Sequence, residues 1–295
     1  MTRTGMAHKV WDPRHSGPKP ARPARPPRRR PPPHPHSSRS YGGPQADRVL
    51  LYGWHPVLAA LENPRRRIRK LLVTENALRR LKDRGTAVPV EPQLVSPDAF
   101  SAYVPTDAVH QGMLAEADPL PSLTIEDLPD SGIVLALDQV TDPHNVGAVL
   151  RSAAAFGAVG LITTMRHSPE ATGVLAKSAS GALEHVPMIA VPNLARGIAG
   201  LKARGFWTIG LDSEAEADLS AAPLRSPLAL VLGAEGRGLR QLTRTSCDGL
   251  AKLALSGPIK SLNVSNAAAL ALYIVNTRLS SDSKAGMTGP GSDQR

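Results

Sequence analysis

From Ile133 onward the chain repeats one alternation: a short apolar run, a turn, then an amphipathic stretch. Ile133–Leu137 is apolar at every position, the pattern of a strand buried on both faces. A helix is expected over Val146–Phe156, then a strand over Val159–Thr163. Ser168-Pro169-Glu170 reads as a helix start, with Ser as N-cap and Pro at the first helical position. Further strands are expected over Val186–Val191, Trp207–Leu211, Leu228–Leu232 and Leu250–Leu255. A helix over Asn193–Arg204 and an Ala-rich closing helix over Leu262–Leu279 complete the series. Strands alternating with helices predict an α/β fold with a parallel sheet and helices on both faces.

A smaller α/β unit is expected over residues 48–118. Its predicted elements are a helix Pro56–Leu61, a strand Ile68–Val73, a helix Glu75–Arg84, and strands Val88–Val90 and Val109–Leu114. Residues 119–131, with Pro119, Pro121 and Pro129, read as a linker to a larger domain over 132–280, and residues 281–295 as a polar tail.

Composition narrows the classes. No run approaches the roughly 18 apolar residues of a membrane span. The single cysteine, Cys247, excludes a disulfide framework and multi-cysteine metal sites; it is expected to pack as an inert thiol. The histidines show no ligand spacing, so no metal is expected. The start lacks the apolar core of a signal peptide, which makes a reducing cytoplasm the expected location.

The net charge of +10 is unevenly placed. Residues 1–46 carry ten Lys/Arg against Asp12 alone, together with 11 of the 28 prolines, and read as a disordered basic arm. Such arms attract polyphosphate without reading sequence. A second basic field lies between Pro64 and Arg84, with nine basic residues and two acids, and is expected to contact phosphate.

Three strand ends of the larger domain carry unusual loops, where ligands bind in parallel α/β sheets. They are Asp142-Pro143-His144-Asn145-Val146-Gly147 with Arg151 following, Gly233-Ala234-Glu235-Gly236-Arg237-Gly238-Leu239, and Ser256-Gly257-Pro258-Ile259-Lys260-Ser261-Leu262-Asn263-Val264-Ser265-Asn266. Taken singly, each also reads as ordinary structure: an Asx turn, glycines for tight turns, an N-cap at Ser261 or Asn263. The second loop lacks the dinucleotide and P-loop fingerprints, which argues against an oxidoreductase or a nucleotide hydrolase.

Together and in this order the loops resemble the motifs of the SpoU (TrmH-like) family of RNA ribose methyltransferases, in the SPOUT class. Gly53-Trp54-His55-Pro56 and His110-Gln111-Gly112 resemble the substrate-binding domain fused to many members. The resemblance implies a trefoil-knotted C-terminal domain, S-adenosylmethionine as methyl donor, and an obligate homodimer with the active site at its interface. It implies that the cofactor's adenosine lies against Gly233, Leu253 and Leu262. Glu235, Ser261 and Asn263 then line the same cleft, while Asn145 and Arg151 face the ribose and phosphate. Arg151 is expected either to act as base or to fix phosphate and stabilise the developing alkoxide, with Glu235 holding Asn145 or Arg151. His144 is expected to be structural. The architecture is similar to RlmB-type members, which implies a guanosine of 23S rRNA, free or in an assembling particle, as substrate. A transfer-RNA ribose methyltransferase and a silent RNA-binding assembly factor are the alternatives.

Overall fold

The computed structural model describes residues 48–166 and 173–287. The basic arm over 1–46 and the helix start at Ser168-Pro169-Glu170 lie outside the described residues. In the smaller region, β1 (Val49–Tyr52), α1 (Trp54–Glu62), β2 (Ile68–Val73), α2 (Glu75–Arg84), β3 (Gln93–Leu94) and β4 (Met113–Ala117) follow in order. The sheet runs β1-β4-β2-β3, with β4 antiparallel to both neighbours. Val88–Val90 is not a strand: the two valines pack against the core from a loop, so their apolar character reports burial and not pairing. The strand expected from Val109 begins only at Met113, because Gln111 (φ 52°) and Gly112 (φ 75°) turn the chain first. A Cβ at Gly112 would stand 2.4 Å from Thr74 Oγ1, so this turn needs glycine.

The larger region contains β5 (Ile133–Asp138), α3 (Pro143–Ala155), β6 (Gly160–Thr164), α4 (Gly173–Ala179), β7 (Met188–Val191) and α5 (Leu194–Ala203). It continues with β8 (Trp207–Leu211), β9 (Leu228–Gly233), α6 (Gln241–Ser246), β10 (Gly249–Ala251) and α7 (Val264–Met287). The sheet order is β10-β8-β9-β5-β6-β7 and every neighbouring pair is parallel. Alternation along β5 explains its unbroken apolar run. Leu135 and Leu137 join a core with α3, α4 and α7, while Val134 and Ala136 join a second core with α5.

Several boundaries differ from expectation. α3 starts at Pro143 with Asp142 as N-cap, three residues earlier than its apolar periodicity shows. β10 is short, because the chain leaves the ladder after Ala251 and carries Leu253 to a cavity. The segment before Ile133 is docked and not merely spanning: Ile125 and Leu128 are buried against α5, and Arg204 donates to the Leu128 carbonyl at 2.6 Å. α7 also continues past Leu279 to Met287, since no proline interrupts it before Pro290.

Four of the nine basic residues between Pro64 and Arg84 are neutralised by acids distant in sequence. Arg66 and Glu184 form a buried pair at 2.7 Å, with side chains 4% and 2% exposed. Asn63 also donates to Glu184 at 2.7 Å, and Arg66 donates to the Asp118 carbonyl at 2.9 Å. Arg69 pairs with Asp118, Lys70 with Glu116 and Arg84 with Glu62. Local charge counting could not see these partners. The expected phosphate-facing field therefore shrinks to Arg65, Arg67, Arg79, Arg80 and Lys82.

Candidate active site

In the pairing of β5 with β9, Asp138 stands opposite Gly233, so the first two loops leave the sheet side by side. The buried Asp138 carboxylate then fixes the far end of the glycine loop. It accepts from the Arg240 backbone N–H at 2.9 Å and from its guanidinium Nε at 2.8 Å. Sequence reasoning missed both residues. The available signal was an acid closing an apolar strand, which must be paired if it is buried.

The glycine loop folds back on itself. Gly238 N–H donates to the Ala234 carbonyl at 2.9 Å, and Gly236 and Gly238 take φ of 72° and 64°. A Cβ at Gly233 would lie 2.1 Å from the Gly238 carbonyl carbon. Glycine at 233 is therefore required by the loop's own backbone, before any ligand is considered.

At the third loop, Asn263 does two jobs. Its Oδ1 accepts from Ser265 N–H at 2.9 Å and Ser265 Oγ–H at 2.6 Å, which caps α7. Its Nδ2 donates to Asn145 Oδ1 at 2.9 Å, tying the third loop to the first. With that oxygen occupied, the Asn145 amide presents its N–H groups as the remaining functional edge. Asn145 is thus held by Asn263 and not by Glu235, whose exposed carboxylate has no hydrogen-bond partner among the described residues.

A cavity of about 440 Å3 opens between the ends of β8, β9 and β10. Gly233, Leu253 and Leu262 line it, as do Glu235 and Ser261. Arg151 does not line it. It stands exposed on α3, without a hydrogen-bond or ion-pair partner among the described residues. His144 is exposed and contacts Ser178 Oγ through Nδ1 at 3.3 Å, a helix-to-helix contact. At the same crossing a Cβ on Gly147 would meet Ser178 Cβ at 2.3 Å. Cys247 donates to the Thr243 carbonyl at 3.3 Å, and burial pushes its thiol up to about 12, which keeps it protonated and inert.

The cavity's size and lining fit a nucleoside-sized group: leucines for a ring face, a glycine loop, and carboxylates at the rim. Family models match at both regions, as SpoU rRNA Methylase over residues 132–273 and as RNA 2′-O ribose methyltransferase substrate binding over residues 50–123. A Pseudomonas putida protein named 23S rRNA (guanosine-2′-O-)-methyltransferase RlmB is 38% identical over 234 residues, spanning 76% of this chain and 94% of the relative. The chain belongs to the SpoU methylase family. A Ralstonia nicotianae relative of the same name is 41% identical, over 76% of this chain and 93% of its own length. Among solved SpoU structures, the methyltransferase AviRb from Streptomyces viridochromogenes, in complex with AdoMet, superposes with a TM-score of 0.69. It is 26% identical over 80% of this chain and 92% of its own. Membership of the SpoU family makes this chain an RNA 2′-O-methyltransferase with an α/β SPOUT-type fold.

Proposed function

We propose that the protein transfers a methyl group from S-adenosylmethionine to the ribose 2′-hydroxyl of a guanosine in 23S rRNA. The observation that carries this reading is identity of 36–41% to relatives named for that reaction, over most of the chain and of the relatives. The cavity at the β8–β10 ends accounts for the cofactor: Gly233, Leu253 and Leu262 would hold its nucleoside, with Glu235 and Ser261 at the rim. S-adenosylmethionine supplies an electrophilic methyl group when bound.

The chain's own task is to place the 2′-oxygen in line and to lower the cost of its lost proton. Asn145, locked by Asn263, offers amide N–H groups to that oxygen, a preorganised donor that stabilises developing negative charge. Arg151, free of structural partners, fixes the adjacent phosphate and adds a positive field beside the forming alkoxide. A guanidinium resists giving up its proton, so the electrostatic role is preferred. Arg151 stands outside the cavity of its own chain, and Ile259 in the third motif loop and Leu270 and Tyr273 after it in sequence are exposed. Both points support a homodimer that completes the site at its interface. No described helix is long and apolar enough to cross a membrane, and a cytoplasmic location belongs to the same proposal.

The test is transfer of a tritiated methyl group to unmodified 23S rRNA, with total tRNA in parallel and mapping of the labelled ribose. Label at one 23S guanosine 2′-oxygen is expected. Label in tRNA alone would overturn the substrate. Cofactor binding without transfer to either RNA would favour a particle-bound substrate or a silent RNA-binding factor.

A further inference from the structure

The His110-Gln111-Gly112 turn walls a second cavity, of about 570 Å3, on the smaller region. The start of α2 forms the opposite side with Thr74, Asn76 and Arg80, and no carboxylate lines the space. The protein itself occupies the acceptor atoms of this set. Asn76 Oδ1 accepts from Arg79. Gln111 Oε1 accepts from Trp54 N–H at 3.0 Å and from Lys177 Nζ at 3.1 Å. His110 Nδ1 accepts from Gly112 N–H at 3.1 Å, which leaves the proton of the neutral ring on Nε2. Thr74 Oγ1 accepts from Ala77 N–H at 3.4 Å. The groups left over are donors: two side-chain amide NH2 groups, the Thr74 hydroxyl, an imidazole N–H and a guanidinium.

Two of these donors are also rigidly held. The His110 ring stacks on buried Phe100 with centroids 4.2 Å apart. The Arg80 guanidinium lies 3.8 Å over the Trp54 ring and has no ion-pair partner among the described residues. Behind Gln111, Lys177 is half-buried and has no carboxylate partner among the described residues; burial holds its pKa below the ordinary lysine range. A donor-only, carboxylate-free site backed by an unneutralised cation selects an anion. A nucleobase edge presents donors as well as acceptors, and the Trp54 face is already covered, so base reading and stacking are both poorly served.

We propose that this cavity is a phosphodiester subsite that seats one backbone phosphate of the RNA substrate between Arg80 and the His110–Gly112 turn. The proposal rests on the RNA-substrate reading above. It assigns the turn a positioning role: one phosphate gripped here fixes the register in which the RNA reaches the distant cofactor cavity.

The test compares R80Q with R84Q in the full-length chain. Each removes one positive charge from α2, but Arg84 sits at the far end of the helix, exposed and paired with Glu62. Filter binding to an unmodified 23S rRNA transcript across a salt series reads both affinity and counterion release. R80Q is expected to weaken binding on the order of tenfold and to cut the log–log salt slope by about 0.7–0.9. R84Q should change little. Because Arg80 also covers Trp54, N76D provides a second arm. An acid in the first turn of a helix favours folding, so N76D should keep its melting temperature while losing RNA affinity. Equal losses in R80Q and R84Q, or wild-type RNA binding by N76D, would overturn the subsite. Failure of the wild-type chain to bind or methylate 23S rRNA would instead remove the substrate reading, and the subsite with it.

Discussion

Arg66 and Arg151 differ in everything but side chain. Arg66 lies at the seam between the two regions, buried, with Glu184, Asn63 and the Asp118 carbonyl forming one connected network. Arg151 lies on α3 beyond the first motif, exposed and without partners among the described residues. A buried charge must be satisfied by its own protein, so its placement serves the fold. A charge left unsatisfied near a site is available to substrate. The largest expected effect follows from this contrast. Arg151→Ala should lower turnover on the order of 10³-fold while leaving the melting temperature and S-adenosylmethionine affinity unchanged. Parallel loss of cofactor binding, read by calorimetry, would remove Arg151 from the chemistry.

Arg66→Ala should do the reverse. Truncating one member of a buried pair strands the other, at a cost of about 3–5 kcal/mol. Urea denaturation should show that loss, and R66M/E184L should recover much of it by removing both charges together. If the single variant were as stable as wild type, the seam would not be held by this pair and the contrast with Arg151 would collapse.

Asn263 joins the two behaviours in one side chain, and its two ends can be separated. Asn263→Asp keeps the acceptor that caps α7 but replaces the donor facing Asn145 with a second oxygen. Stability should hold, while turnover falls by about 10–100-fold. Asn263→Ala should lose both turnover and about 1 kcal/mol of capping. Equal stability losses in the two variants would show that the Asn145 contact contributes to folding and not to reactivity.

These side chains show where sequence reading reaches its limit. β5 and β9 were legible because a strand buried on both faces is written as an unbroken apolar run. The first two motif loops were legible because each follows such a strand, the third because Ser261-Leu262-Asn263 stands before an Ala-rich helix. Their mutual contact was not: Asn145 and Asn263 lie far apart in the chain, and only the parallel order β10-β8-β9-β5 brings their loops together. The same limit explains the basic field, where Glu184 and Asp118 neutralise arginines from outside any local window. α6 escaped notice because a short polar helix, Gln-Leu-Thr-Arg-Thr-Ser, has no readable period. Asp142-Pro143 was read as a turn although an acid followed by Pro is equally a helix start, as it is here.

The basic arm extends the contrast to charge that no sequence neighbour can neutralise. Residues 1–46 hold +9 of the chain's +10. If the arm contacts RNA, each phosphate it neutralises releases counterions, and affinity falls more steeply with salt by about 0.7–0.9 per contact. Contacts of this kind carry no sequence information, so they add attraction without changing which ribose is reached. Deleting residues 1–46 should therefore flatten the salt dependence of RNA binding and lower affinity mainly at low salt. At saturating RNA, turnover and the labelled position should stay as in the full chain. The effect is the smallest of the series because the arm bears on encounter and leaves the registered complex as it was. An unchanged salt slope after deletion would show that the arm's charge is spent on solvent alone, and the RNA-binding charge would then reside in the Arg65, Arg67, Arg79, Arg80 and Lys82 set.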